Sequence, residues 1–146
     1  MSLPRPEAGL VVRYSYLWHA EHIQGREEGT KDRPCAIILA IAGKKAGRYR
    51  VWLLPVTHLE PVDAEEAVEI PAPVKRRLGL DSERSWVVLS EWNECLWPSA
   101  DLRPTSRHKG ASVAYGLLPP KFFDYLRRRF LVLVEKRKAR RVERTE

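Results

Sequence analysis

The sequence has little that could staple it, anchor it or mark it as a member of a common enzyme class. Only two of its 146 residues are cysteine, Cys35 and Cys95, and each lies inside an apolar stretch. Two such residues cannot build a disulfide scaffold, and they are not spaced as a zinc-binding pair. They read as buried free thiols in a reducing compartment. No apolar run is long enough to span a bilayer. The longest, residues 34–42, falls well short of the roughly 20 residues a spanning helix needs. The opening residues Met1-Ser2-Leu3-Pro4-Arg5-Pro6 carry no apolar core of a secretory signal, so a cytoplasmic location is expected. There is no Gly-rich phosphate loop and no Gly-x-Ser-x-Gly elbow.

What is present is an ordinary globular composition. Hydrophobic residues make up 44% and charged residues 31%, enough for one domain over residues 1–146 with a core of its own. Lys and Arg number 26 against 19 acids, a formal charge of +7. That balance points to an anionic partner, nucleic acid above all. The excess is local, however. Residues 119–146 hold ten basic and four acidic side chains, a net of +6, and the other residues hold sixteen and fifteen, a net of +1.

Periodicity divides the chain in the same place. Residues 11–17, 34–42, 48–54, 67–70 and 86–89 have the composition of short strands. In the third of these, Tyr49, Val51 and Leu53 fall on one face, and Arg50, Trp52 and Leu54 on the other. A Gly/Lys turn over residues 43–47 precedes it. Residues 73–80 read as a short helical turn ending at Gly79, and residues 104–116 read as a polar loop. From Pro119-Pro120 onward, Phe122, Leu126, Phe130, Leu133 and Val134 form an apolar stripe at helical spacing, so a long helix is expected over residues 119–142. Beyond Val134 the stripe fades, the basic tail should fray into solvent, and residues 143–146 should be disordered. Its removal should leave any site intact. The expected class is mainly β with α: a small antiparallel barrel, a short internal helix and a long C-terminal helix over one open face.

Three segments hold candidate chemistry. In Lys31-Asp32-Arg33-Pro34, proline ends a loop and holds Arg33 at a strand mouth, where a guanidinium can grip phosphate with two hydrogen bonds; the simpler alternative is an arginine paired with Asp32 or Glu28. In Leu54-Pro55-Val56-Thr57-His58, Thr57 offers a hydroxyl and His58 a group that titrates near neutrality; alternatively Thr57 caps a turn and His58 is merely solvated. In Leu89-Ser90-Glu91-Trp92-Asn93-Glu94, Glu91 offers a carboxylate, Trp92 a ring that could stack a base, and Asn93 an amide; a tryptophan is more often core. His19 and His22 sit in a loop with no third ligand evident, so no metal is expected.

In order, these segments resemble the MazF/PemK toxin family. The matching features are Gly9 to Val12, the glycine- and acid-bearing loop Gln24-Gly25-Arg26-Glu27-Glu28-Gly29, Arg33-Pro34 opening an apolar strand, Pro55-Val56-Thr57 closing the next, and later Val68-Glu69-Ile70-Pro71, Gly79-Leu80 and Val87-Val88-Leu89. The resemblance covers residues 9–103. It implies an SH3-like barrel, usually homodimeric, that cleaves single-stranded RNA without metal or cofactor. In that chemistry the 2′-hydroxyl attacks the adjacent phosphate. An antitoxin partner is also implied. By the family's pattern Arg33 and Thr57 are catalytic, with Glu91 as the acidic residue; His58, Trp92 and Asn93 are a possible base or RNA contacts. As the base, Glu91 and His58 stand equal. The chain departs from the family in carrying His58 after the threonine and in longer segments at residues 71–84 and 104–116. The alternative function is a non-catalytic nucleic-acid- or protein-binding barrel, and the plainest is a basic domain whose tail only keeps it soluble.

Overall fold

The computed structural model describes residues 3–25, 29, 31–136 and 139–144. These residues are mainly β, and among them nine strands form one sheet and three helices accompany it. Strand β1 (Leu10–Tyr14) is followed by helix α1 (His19–Ile23). Strands β2 (Arg33–Ala42) and β3 (Tyr49–Thr57) then form a hairpin. After β4 (Ala67–Glu69) comes α2 (Ala72–Leu78), closed by Gly79 in the left-handed conformation at φ 70°. Then come β5 (Trp86–Val88), β6 (Glu91–Trp97), β7 (Leu102–Arg103) and β8 (Ala114–Leu117). Helix α3 (Pro120–Glu135) and strand β9 (Arg140–Glu143) complete the chain.

The sheet order is β4-β5-β3-β2-β1-β7, with β8 also on β1, and β6 joined to β3 and β9. All ladders are antiparallel except β6 with β9. The sheet does not close into a ring: β4 lies at one end of the order and β7 at the other.

The central strands β1, β2 and β3 are buried on both faces, which their alternation accomplishes. Leu10, Val12, Cys35, Ile37, Val51 and Leu53 face a cluster shared with Cys95, Trp97 and Leu102 of β6 and β7. Their neighbours Val11, Ala36, Ile38, Leu54 and Val56 face a second cluster. There α2 contributes Val74 and Leu78, and α3 contributes Leu126, Phe130 and Leu133. The apolar stripe of α3 therefore packs where its spacing predicts, while Arg127 and Arg128 stay outside. Both cysteines are buried and unbridged, and burial pushes the Cys35 thiol above its ordinary range. Among the described residues, no helix is long and apolar enough to cross a membrane.

Four expectations are corrected. Helix α3 stops at Glu135, not at residue 142. The tail does not fray: Arg140–Glu143 adds a parallel strand to β6, Val142 is buried, and Arg144 is buried beyond it. Residues 145 and 146 lie outside the described residues. Residues 104–116 are not wholly loop, since β8 starts at Ala114 and the turn is tied by the Thr105 amide donating to the Ser112 carbonyl at 2.9 Å. His19 and His22 lie in α1 rather than in a loop.

Strand β6 was not evident in the sequence because Glu91, Asn93 and Glu94 interrupt its apolar pattern. The structure shows why polar residues are tolerated there. Glu94 is buried, but its carboxylate accepts from the Trp52 indole at 2.6 Å and from Arg50 at 2.9 Å, with Arg141 at 3.7 Å. Buried carboxylates persist when their lone pairs are met in this way.

Candidate functional site

Arg33 opens β2 and Thr57 closes β3. The ladder between them pairs Cys35 with Pro55, and two residues further along the same register Arg33 stands level with Thr57. Residues 24 positions apart in sequence thus reach one rim of the sheet. The rim borders a cleft of about 330 Å³, lined among others by Arg13, Lys31, Arg33, Thr57, His58 and Asp81.

Each side chain there has a defined setting. Arg33 donates from one terminal nitrogen to the Val56 carbonyl at 3.2 Å. Its guanidinium lies 4.9 Å from the centre of the Trp18 ring, a cation–π distance. Its Nε is buried and has no hydrogen-bond partner among the described residues. A buried, unmatched guanidinium N–H is costly, and an anion would relieve it. Asp32 does not neutralise Arg33; it lies 3.8 Å from Arg13 and 3.7 Å from Arg103. Glu28, the other candidate partner, lies outside the described residues, as do Arg26 and Glu27 of the same loop. Gly29 of that loop is pressed against the Tyr16 carbonyl, where a Cβ would collide.

Thr57 caps its turn, accepting from the Leu59 amide at 3.1 Å, and keeps its own hydroxyl proton to donate. His58 is half exposed, and its Nε2 lies 2.7 Å from Asp81 and 3.6 Å from Glu83. Burial raises the Asp81 carboxyl, but hydrogen bonds from Lys75 and His58 outweigh it and hold the group below its ordinary value. His58, Asp81 and Glu83 are also the one grouping, among the described residues, of three side chains whose donor atoms lie close enough to share a cation, within 4.8 Å of one another, but all three are exposed and make ordinary ion pairs. Lys75 already supplies a positive charge at Asp81, 2.8 Å away.

The late acidic segment goes elsewhere. Glu91 does not line the cleft. One carboxylate oxygen accepts from the Tyr16 hydroxyl at 3.1 Å and from the His19 amide at 2.9 Å. Tyr16 meets Trp18 edge-on, ring centres 5.1 Å apart, so Glu91 holds the far member of a ring pair whose near member carries the Arg33 guanidinium. Trp92 is not available to stack a base: it is buried, stacked on Trp52 at 4.7 Å and edge-on to Phe130 at 5.3 Å. Asn93 is fully buried; its amide clamps the Leu17 backbone, donating at 2.7 Å and accepting at 2.9 Å. Both are parts of the scaffold. Conversely, nothing along the chain indicates that Arg13 and Asp81 line the cleft, or that Trp18 and Lys75 sit behind Arg33 and Asp81. Only the fold of the sheet brings them there.

Glu91 carries a prediction about pH. Burial, only partly offset by the His19 and Tyr16 hydrogen bonds, raises its carboxyl above the ordinary 4.5. The folded chain therefore keeps this proton to higher pH than the unfolded chain does. Its stabilising effect is complete below the ordinary value and is lost as pH rises through the raised one. Glu91→Gln should keep both hydrogen bonds and flatten the fall in unfolding free energy above pH 4.5. Urea melts over roughly pH 4 to 7 measure it; an unchanged slope would contradict the burial argument.

Compared with known families, curated proteins and solved structures, the chain matches none.

Proposed function

We propose that this chain is a toxin-type endoribonuclease, similar to MazF/PemK proteins, that cleaves single-stranded RNA without metal or cofactor on an SH3-like framework. The observation that carries the reading is the meeting of Arg33, Thr57 and His58 at one cationic cleft. A phosphodiester seated there would meet Arg33 and Lys31 as cations, Thr57 as a donor and His58 as a base. His58 takes the proton of the 2′-hydroxyl, and the 2′-oxygen attacks phosphorus. The 5′-oxygen leaves with a proton from the Lys31 ammonium, giving a cyclic phosphate and a free 5′-hydroxyl. Arg33 stabilises the charge that builds on the phosphorane. Between the two candidate bases, the withdrawal of Glu91 favours His58.

A neighbouring feature supports RNA as the substrate. A second groove of about 300 Å³, walled by Trp18, Leu59, Val62 and Val88, is mostly apolar. A depression lined by Trp18, Thr57 and Leu59 joins it to the cationic cleft. A sugar–phosphate in the cleft and a base in the groove would satisfy both chemistries. Trp18, not the buried Trp92, is the ring that would stack the base. The same reading carries a homodimer, an acidic and initially disordered antitoxin segment as protein partner, and a cytoplasmic location.

The test is to incubate the purified protein with mixed-sequence single-stranded RNA in EDTA. Endonucleolytic products ending in a cyclic phosphate are expected; intact RNA removes the reading. One observation favours a second reading, a non-catalytic RNA-binding domain: the family's acidic residue is tied to Tyr16 and His19. Salt-dependent RNA binding without turnover in the same assay selects it.

A further inference from the structure

Lys75 is the only lysine buried among the described residues. It sits in α2 with its side chain 6% exposed. A buried ammonium survives only when every proton is matched, and this one is. Its Nζ donates to Asp81 at 2.8 Å, to the Ser85 hydroxyl at 2.7 Å and, closely, to the Glu83 carbonyl. It uses only Oδ1 of Asp81, which also accepts from the Glu83 amide at 3.1 Å. The other oxygen, Oδ2, faces His58 Nε2 at 2.7 Å. Asp81 is thus a carboxylate divided between a buried cation and an imidazole at the cleft.

We propose that Lys75 and Asp81 are positioning residues for His58. The ammonium fixes the carboxylate, and the carboxylate takes the Nε2–H of the imidazole. This holds the ring in one orientation and one tautomer, with Nδ1 left as the proton-accepting nitrogen. The pair also opposes itself electrically: Asp81 favours the protonated ring, and Lys75 moderates that by partly neutralising Asp81. A base held in this way is not free to rotate. The reaction it serves rests on the endoribonuclease reading; the positioning does not.

The opposed signs supply the test. Other charged groups face His58: Glu83 from the same loop, and Lys31, Arg33, Arg13 and Asp32 across the cleft. They are constant between variants. NMR titration of His58 in the full chain should show its pKa falling by about half a unit or more in Asp81→Asn and rising by a similar amount in Lys75→Met. Purely structural damage would not move the two in opposite directions. Cleavage of single-stranded RNA should drop by about tenfold or more in Asp81→Asn, with the lower limb of the pH–rate profile displaced the same way as the titration. If both titrations stay within about 0.2 unit of the parent, the positioning role is overturned. If Lys75→Met fails to fold, Asp81→Asn alone decides: a lowered pKa upholds the role, and an unchanged one overturns it. Opposite shifts in a protein that leaves RNA intact uphold the positioning and remove the ribonuclease reading.

Discussion

Replacing Arg144 by alanine is expected to destabilise the protein by about 3–5 kcal/mol, the usual consequence of leaving a buried charge without its partner. Arg144 lies at the end of the basic tail, where solvent exposure was the sequence expectation, yet its side chain is 2% exposed. One terminal nitrogen donates to Asp101 at 2.8 Å. The other donates to the Tyr14 hydroxyl at 3.0 Å, the Ser15 carbonyl at 2.9 Å and Asn93 at 3.1 Å. These partners belong to the end of β1 and the residue after it, to β6 and to the segment before β7, so one guanidinium ties three parts of the molecule to the C-terminal strand. Alanine would remove the donors and leave Asp101, itself 87% shielded at the side chain (13% exposed), uncompensated in the interior. Arg144→Lys should recover only part of the loss, because an ammonium cannot span both sides of the fork. Urea unfolding followed by circular dichroism measures both. A change below about 1 kcal/mol would contradict the network's role. Against a total stability of about 5–15 kcal/mol the expected loss is large. Deleting residues 137–146 should be worse still, since it also strips Val142 from the core and β9 from β6. The tail is part of the fold, and removing it is no test of nucleic-acid attraction.

On the proposed endoribonuclease reading, Arg33→Ala should lower RNA cleavage by about 10²–10³-fold, the range for deleting a donor that meets developing charge. The folded state should change little. What is lost is one 3.2 Å bond to the Val56 carbonyl and the contact over Trp18, about 1 kcal/mol together. That asymmetry separates a catalytic arginine from a structural one. Arg33→Lys should fall between, keeping the charge but not the paired N–H geometry. Initial rates on a labelled single-stranded RNA, with melting curves on the same preparations, give both quantities. Equal rates for Arg33→Ala and the parent would remove Arg33 from the chemistry.

How legible each part was depended on the range of the physics behind it. The hairpin of β2 and β3, the short helix ending at Gly79 and the apolar stripe of α3 follow from local rules of alternation, turn chemistry and helical spacing. They were readable from neighbouring residues alone. Strand β6 was not, because Glu94 and Asn93 look like surface residues until Trp52, Arg50 and Leu17 are placed against them. The site divides in the same way. Arg33 and Thr57 stand level because a proline-opened strand and a threonine-closed strand share one hairpin register; their assignment to the chemistry is what the family resemblance implies. Trp92 stays open between a stacking ring and a core residue in the sequence, because nothing local reveals that Phe130 of α3 covers it.

The charge distribution makes the same division. The sequence by itself determined that the net charge is concentrated in residues 119–146 and that the rest of the chain is close to neutral. It also determined the two cysteines as buried apolar residues, from their surroundings. Only the tertiary structure decided what the basic tail does. It turned the last arginines into a strand, buried Arg144 against Asp101, and left the candidate site with Arg13, Lys31 and Arg33 as its cations. The reason is that burial of a charge depends on which opposite charges and acceptors the fold brings within about 3 Å. No periodicity along the chain encodes a meeting between Arg144 and Tyr14, 130 residues apart.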